Sequence, residues 1–278
     1  MIPAKTAWAA FAVLALLLGA CGPRIGDLQR GESGRVARAF DGDTLVLESG
    51  LRVFLAEVDA PSGEARYASQ AQGELEALAL HREVLLAYGG ERRWVGRPRE
   101  GETAPPPEAA IAHVYVRSEG GRWFWLQHEL VSRGAAFVRP RRGNHARIPD
   151  LLRLEDRARA AQRGLWAGRD YRVLDARGAA RLATRANTSC LRGDAPYRLI
   201  EGVVAEVQRD ERRAAIILEQ TQQPPFAMVI FGESLVAWDG PALDSLAGAR
   251  VRARGALGVF RDAPQMCIDD ARQIETMD

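Results

Sequence analysis

Apolar positions recur at two different spacings along this chain, and the spacing changes where the elements change. Thr44 to Glu48 and Leu51 to Val58 carry the two-residue alternation of half-buried strands, joined by a Ser49-Gly50 hairpin turn. With Arg35 to Ala39 ahead of them, residues 35 to 59 read as a β-meander. Ala68, Ala71, Leu75, Leu78 and Ala79 then fall at helical spacing within Tyr67 to Leu80. Strands are expected at Glu83 to Tyr88, Ala110 to Val116 and Ala135 to Val138. Between the first two, Gly89 to Glu108 is rich in Gly, Pro and charge and reads as a loop insertion. Trp123 to Arg133 begins as strand and becomes helix, with Gly134 as its stop. Pro149 to Arg163 sets Leu151, Leu152, Leu154 and Ala158 on one helical face and ends at Gly164.

Past this point the pattern fades and then returns in a new form. Residues 170 to 195 show no clear period and read as a linker with a short helix at Ala176 to Ala183. Arg198 to Val207, Ala214 to Glu219, Ala227 to Phe231, Arg250 to Ala256 and Gln265 to Ile268 are short strands, which suggests a small closed barrel. The fold class expected is therefore mainly β with helices: two small β-barrels in series.

The N-terminus changes the picture of where this chain resides. Lys5 precedes an apolar run from Ala7 to Leu18, too short to span a bilayer as a stable helix. It ends in Leu18-Gly19-Ala20-Cys21, which resembles the bacterial lipobox, so Cys21 is expected to carry lipid and to anchor the chain to a membrane without crossing it. The expected location is the bacterial cell envelope, facing the periplasm; Gly22 after the cysteine favours the outer membrane. The expected organisation is 1–21 signal peptide and lipobox, 22–34 polar tether, 35–170 first domain, 171–196 linker and 197–278 second barrel.

A hydrophobic fraction of 47% supports packed cores, and a net charge of +2 excludes a strong overall field for polyanions. Lys5 is the only lysine, so every other basic side chain but the histidines is an arginine. In an oxidising compartment Cys190 and Cys267 are expected to pair as a disulfide, since both fall in or beside the same predicted domain.

Candidate chemistry sits at two strand ends. Asp41-Gly42-Asp43-Thr44 precedes one strand and Val58-Asp59-Ala60-Pro61 closes another. Carboxylates brought together from both would suit a hard cation such as calcium, although Asp-Gly-Asp is also a good turn sequence in its own right. His113, His128 and His145 lack metal-ligand spacing and read as structural or exposed. Trp123 and Trp125 alternate on one strand, where hairpin packing competes with base stacking. Arg139 to Arg142, interrupted by Pro140, reads as a solvated basic loop.

At Asp41-Gly42-Asp43-Thr44, Val58-Asp59-Ala60-Pro61, Ile111-Ala112-His113-Val114-Tyr115 and Arg163-Gly164-Leu165-Trp166, in that order, the chain resembles the staphylococcal nuclease (thermonuclease) family. The resemblance implies a staphylococcal-nuclease-like OB-type barrel of five strands with helices, and calcium-dependent phosphodiesterases that cleave DNA and RNA. Residues 197 to 275 resemble a second OB-like barrel. By this likeness Asp43 and Asp59 fall on the calcium carboxylates and Asp41 on a neighbouring acidic position. The family's other positions are replaced. Its strand arginine is Phe54, its second arginine is Ala109, its Thr after the second carboxylate is Ala60, and its catalytic Glu is Ser62. Three residues are candidate substitutes: Arg52 on the same strand face as Phe54, Glu64 two residues beyond Ser62, and Arg97 at the end of Arg93-Trp94-Val95-Gly96-Arg97.

Three functions remain open from the sequence. One is an envelope lipoprotein whose nuclease barrel has lost or weakened its phosphodiesterase activity and keeps a binding or structural role. Another is an active calcium-dependent nuclease acting on nucleic acid. The last is an envelope module that binds other envelope proteins.

Overall fold

Two sheets, each closed on itself, form the frame of the described residues. The computed structural model describes residues 23–61, 66–95, 108–192, 195–219, 224–236, 238 and 240–277. Cys21, Ser62, Glu64 and Arg97 lie outside the described residues.

The first barrel uses β1 (Gln29–Ala39), β2 (Thr44–Leu47), β3 (Arg52–Leu55), β5 (Glu83–Tyr88) and β7 (Glu108–Arg117), with β4 (Val58–Asp59) and β6 (Arg93–Val95) between them in the chain. The closed order is β1-β2-β3-β7-β5, and its one parallel pairing is β3 with β7. β6 and β8 (Trp123–Trp125) pair with the rim of β7, and β4 pairs with β9 (Phe137–Val138) as a separate ribbon. Leu45, Val53, Leu55, Val84, Leu86, Ala112 and Val114 fill the interior, as the two-residue alternation requires. Three helices cover the barrel: α1 (Ala68–Ala79), α2 (Leu126–Arg133) and α3 (Ile148–Ala160). α1 buries Ala71, Leu75, Leu78 and Ala79, the apolar stripe visible in the sequence. α2 ends at Gly134 in the left-handed region (φ 68°), where a Cβ would lie 2.2 Å from the Arg163 carbonyl oxygen. That close approach fixes the end of α2 against the turn that follows α3.

The second barrel closes in the order β10-β11-β12-β14-β13, again with one parallel pairing, β12 with β14. Its strands are β10 (Tyr197–Arg209), β11 (Arg213–Leu218), β12 (Ala227–Phe231), β13 (Arg250–Phe260) and β14 (Ala263–Ile268), with β15 (Ile274–Thr276) added to β13. Two five-residue helices, Gly232–Val236 and Gly240–Asp244, link β12 to β13.

Three segments depart from the sequence expectation. Gln29 to Gly34, expected as tether, is the first half of β1 and pairs with β5. Those residues carry no apolar period because most of that edge faces solvent. Arg93–Val95 forms a strand inside the expected loop. The expected linker 171–196 contains α4 (Ala176–Ala186), a full helix capped by the Asp175 carboxylate accepting from Gly178 N–H at 2.6 Å. Ala176, Ala179, Ala180 and Ala183 sink into the second barrel's core, so this segment is packed structure.

The barrels are joined by a shared apolar cluster that includes Phe137, Leu165, Trp166, Tyr171, Tyr197, Leu199 and Ala256. Phe137 and Tyr197 stack with ring centroids 5.1 Å apart and planes 7° from parallel. Arg254 of β13 is fully buried and pairs with Glu155 of α3 and Glu275 of β15. Burial alone would weaken the hold of Arg254 on its proton, but the two carboxylates outweigh it and keep the guanidinium charged. Glu155 also accepts the Val138 N–H at 2.7 Å, so one ion cluster ties β9, α3 and the second barrel together. Cys190 and Cys267 lie at bonding distance, with S–S 1.98 Å and Cα–Cα 5.6 Å, and link the segment after α4 to β14. No helix among the described residues is long and apolar enough to cross a membrane.

A candidate acidic site at the seam of the barrels

Turn chemistry builds the first half of the site. The Asp41 carboxylate accepts the Asp43 N–H at 3.1 Å, closing the turn from β1 into β2. Gly42 is required by packing: a Cβ there would stand 2.7 Å from the Cβ atoms of both Ala60 and Ala71. The turn is thereby pressed onto the end of β4 and onto α1. Ala60 N–H donates to Asp43 Oδ2 at 3.2 Å, and Thr44 Oγ1 donates to Asp43 Oδ1 at 3.1 Å. The two sequence motifs do meet, through Asp43 and the backbone of Ala60. Burial, then the charge of Asp41, pushes the Asp43 carboxyl up to about 7, against the pull of the Thr44 and Ala60 hydrogen bonds. Near neutral pH Asp43 is therefore divided between acid and carboxylate.

Asp59 is brought to the same place but faces a different partner. In the β4–β9 ribbon Asp59 stands opposite Phe137, and two residues on Arg139 turns back to form an ion pair with the Asp59 carboxylate. The same guanidinium lies 5.0 Å over the ring of Tyr197, the first residue of β10. Burial, with the nearby charge of Arg141, lowers the Arg139 proton affinity to about 10, while Tyr197, Asp43 and Asp269 oppose that shift. Arg139 is thus the cation of the acidic mouth, held there by both barrels. This corrects the solvated-loop reading for Arg139, while Arg141 and Arg142 are exposed as expected. The local signal was only the Phe-Val-Arg alternation; the contact itself spans 80 residues of sequence.

Of the two candidate arginines, Arg97 lies outside the described residues and Arg52 is seen against an aromatic ring. Arg52 is spent on Phe40, its guanidinium 4.8 Å from the ring, with Arg38 at 5.3 Å on the same ring. Phe54 stands opposite Thr44 in β2 and beside Ile111 in β7. Ala109, the other replaced arginine position, is buried beside Arg52 in register.

His113 and Trp125 are structural, His128 is exposed and His145 is partly exposed. His113 is buried with Nε2 3.1 Å from Glu57, a carboxylate that also accepts the Arg147 N–H at 2.9 Å. Trp125 packs edge-on against His113 at 5.6 Å, beside Leu85, Ala87 and Tyr115.

Calcium takes six to eight oxygen ligands. Among the described residues no three His, Cys, Asp or Glu side chains form a group that could hold a metal. Asp59 is neutralised by Arg139, and both Asp43 oxygens already accept hydrogen bonds. The described residues Asp41, Asp43 and Asp59 therefore do not fit a calcium centre in this arrangement. They present instead a guanidinium able to meet an anion, next to a carboxyl that titrates near neutrality.

Residues 52–168 match the family model described as staphylococcal nuclease homologue. The chain is similar to Protein ParB of Escherichia coli, 29% identical over 143 residues, which cover 48% of this chain and 72% of that protein. It is also similar to a Haemophilus influenzae protein named as an uncharacterized endonuclease, 26% identical over 137 residues, covering 48% of this chain and 65% of that protein. The family match ends before α4 and the second barrel.

Proposed function

We propose, from the premise that residues 52–168 form a staphylococcal nuclease homologue domain, that this barrel keeps a nucleic-acid-binding or structural role while its calcium-dependent hydrolysis is lost or strongly weakened. The observation that carries this reading is Arg139, which neutralises Asp59 and is itself fixed on Tyr197 of the second barrel. Phosphodiester hydrolysis needs positive charge aimed at the developing phosphorane, and losing one such preorganised donor costs about 10²–10³ in rate in comparable sites. Phe54 and Ala109 supply none, and Arg52 is engaged by Phe40. A guanidinium already paired with a carboxylate has less charge to offer than a free metal ion.

The deciding measurement is digestion of single-stranded DNA by the chain from Gly22 onward, in calcium and in chelator. The expected result is no calcium-stimulated hydrolysis, and no change on Asp43→Ala. Calcium-stimulated digestion that disappears in Asp43→Ala would overturn the proposal in favour of an active nuclease. Absence of both hydrolysis and DNA binding at low salt would leave the envelope protein-interaction module.

The address belongs to the same proposal: a lipid-anchored protein of the bacterial envelope, facing the periplasm, with the outer membrane favoured. Leu18-Gly19-Ala20-Cys21 supports it, and the Cys190–Cys267 pair suits an oxidising compartment. Labelled palmitate should enter the protein in growing bacteria and be lost from Cys21→Ser; label that persists in the variant rules out Cys21 as the lipid site.

A further inference from the structure

A cavity of about 1050 Å³ opens on the surface between the end of the first domain and α4. Six arginines line it: Arg66, Arg169, Arg172, Arg181, Arg185 and Arg198. Among the described residues only two carboxylates, Asp170 and Asp262, share the lining, and Asp170 is already within 3.4 Å of Arg66. The chain as a whole carries a net charge of only +2, so this is a local concentration of cations. Among the described residues, Arg169, Arg172, Arg181 and Arg185 have no carboxylate within ion-pair distance. Arg181 and Arg185 lie one turn apart on the exposed face of α4, opposite its buried alanines.

A second observation comes from Arg198. Its guanidinium lies 4.6 Å over the Tyr171 ring, and Nη1 donates to the Tyr197 carbonyl at 2.7 Å, but its buried Nε has no hydrogen-bond partner. Burial, opposed by Tyr171 and Asp170, lowers its hold on its proton. A buried donor without an acceptor is costly, and the Arg198 guanidinium, which lines the cavity, is left short of hydrogen-bond acceptors there.

The aromatic rings connect this cavity to the acidic site. Tyr67 meets Tyr171 at 5.7 Å, Tyr171 meets Phe137 at 6.1 Å, and Phe137 stacks on Tyr197. Arg66 covers the Tyr67 end of that row, Arg198 the next ring, Tyr171, and Arg139 the Tyr197 end.

We infer that this cavity is a phosphate-backbone site for single-stranded nucleic acid, formed by α4 together with the end of the nuclease-like domain. The inference rests on the nucleic-acid reading proposed above and deepens it by naming the surface that binds. Several observations favour a polymer over a small anion. The cavity is at the upper end of the roughly 300–1,000 Å³ typical of small-ligand sites, its guanidinium forks suit phosphate oxygens, and its cations are spread over two domains. The charged side chains of the lining are mostly arginines, which would meet phosphate oxygens rather than base edges, so binding would be indifferent to sequence.

The test is fluorescence anisotropy of a labelled single-stranded DNA 12-mer of mixed sequence against the chain from Gly22 onward, from about 50 to 200 mM salt. Arg181→Ala with Arg185→Ala should weaken binding about tenfold or more at the lowest salt. The slope of log K against log salt should fall by about 1.4, the loss of two phosphate contacts on a single strand. Arg181→Lys with Arg185→Lys should restore most of the affinity. Both positions are exposed on a helix, and an unchanged melting temperature confirms that the variants fold. Equal affinity in wild type and the double alanine variant overturns the inference; if Arg139→Ala then weakens binding, the broader nucleic-acid reading stands without it. Failure of the wild type to bind the oligonucleotide overturns both, and retention on anionic phospholipid vesicles in that case would assign the arginines to a membrane surface.

Discussion

Each barrel joins its first two strands through an aspartate-headed turn, and the two turns behave in opposite ways. In the first barrel Asp41 accepts the N–H of Asp43; in the second Asp210 accepts the N–H groups of Arg212 and Arg213 at 2.8 and 3.0 Å. The local hydrogen bonding is alike. The Asp210 carboxyl stands in solvent and is held below its usual value, first by the Arg212 N–H. The Asp43 carboxyl, pressed under Gly42 onto Ala60 and Ala71, is raised toward neutrality by burial. The turn-heading aspartates are alike, but the first turn carries Asp43 where the second carries Arg212, and burial together with the charge of Asp41 makes that carboxyl a titrating site.

The largest expected break in this comparison comes from removing what holds the barrels together. Arg254→Met would leave Glu155 buried without its cation, at a cost of about 3–5 kcal/mol. Thermal unfolding of the variant should show a large fall in melting temperature; a fall of a degree or less would mean that the ion cluster does not couple the barrels. Next in size is the pair of cysteines, 77 residues apart. Cys190→Ser with Cys267→Ser should destabilise by about 2–4 kcal/mol. Alkylation of the wild type should rise by two thiols after reduction, and equal alkylation before and after would refute the bond.

Of similar size or smaller, and closest to the comparison, are the two turn acids. The raised Asp43 carboxyl disfavours the folded state as pH climbs from its unfolded value, near 4, through about 7. Asp43→Asn should therefore raise the melting temperature at about pH 8, by the equivalent of roughly 2–4 kcal/mol, and leave it nearly unchanged at about pH 4. Asp210 has the opposite sign: its depressed value contributes stability above the unfolded value that is lost as pH falls through the folded one. Asp210→Asn should slightly lower the melting temperature at neutral pH and have no effect in acid. A matching response of the two variants would show that burial does not separate the turns.

Much of this was legible in the chain itself. Glu83–Tyr88 and Ala227–Phe231 begin and end as the alternation predicts, and Gly134 stops α2 where expected. Misread segments share a cause, the lack of large apolar side chains. Gln29 to Gly34 is a solvent-facing strand edge; the helix expected at Ala176 to Ala183 is present as α4, but it buries only alanines, so its docking into the second core went unread. The site was half legible. Asp41, Asp43 and Asp59 are local features of turns and strand ends, and they lie where the motifs put them. What neutralises Asp59 and what stacks on that cation come from residues 139 and 197, and no local period reports such a meeting.

The burial of Glu155 also bears on how portable the nuclease-like segment is. Its charge is balanced by β13, and Phe137 by Tyr197, so the contacts that complete the first barrel lie beyond the end of the family match. A chain ended after Gly168 would keep a buried carboxylate with no counter-ion and an uncovered aromatic face. The first barrel is therefore not a module that can be cut out and transplanted intact, because its core cluster and its buried ion cluster are shared with its neighbour.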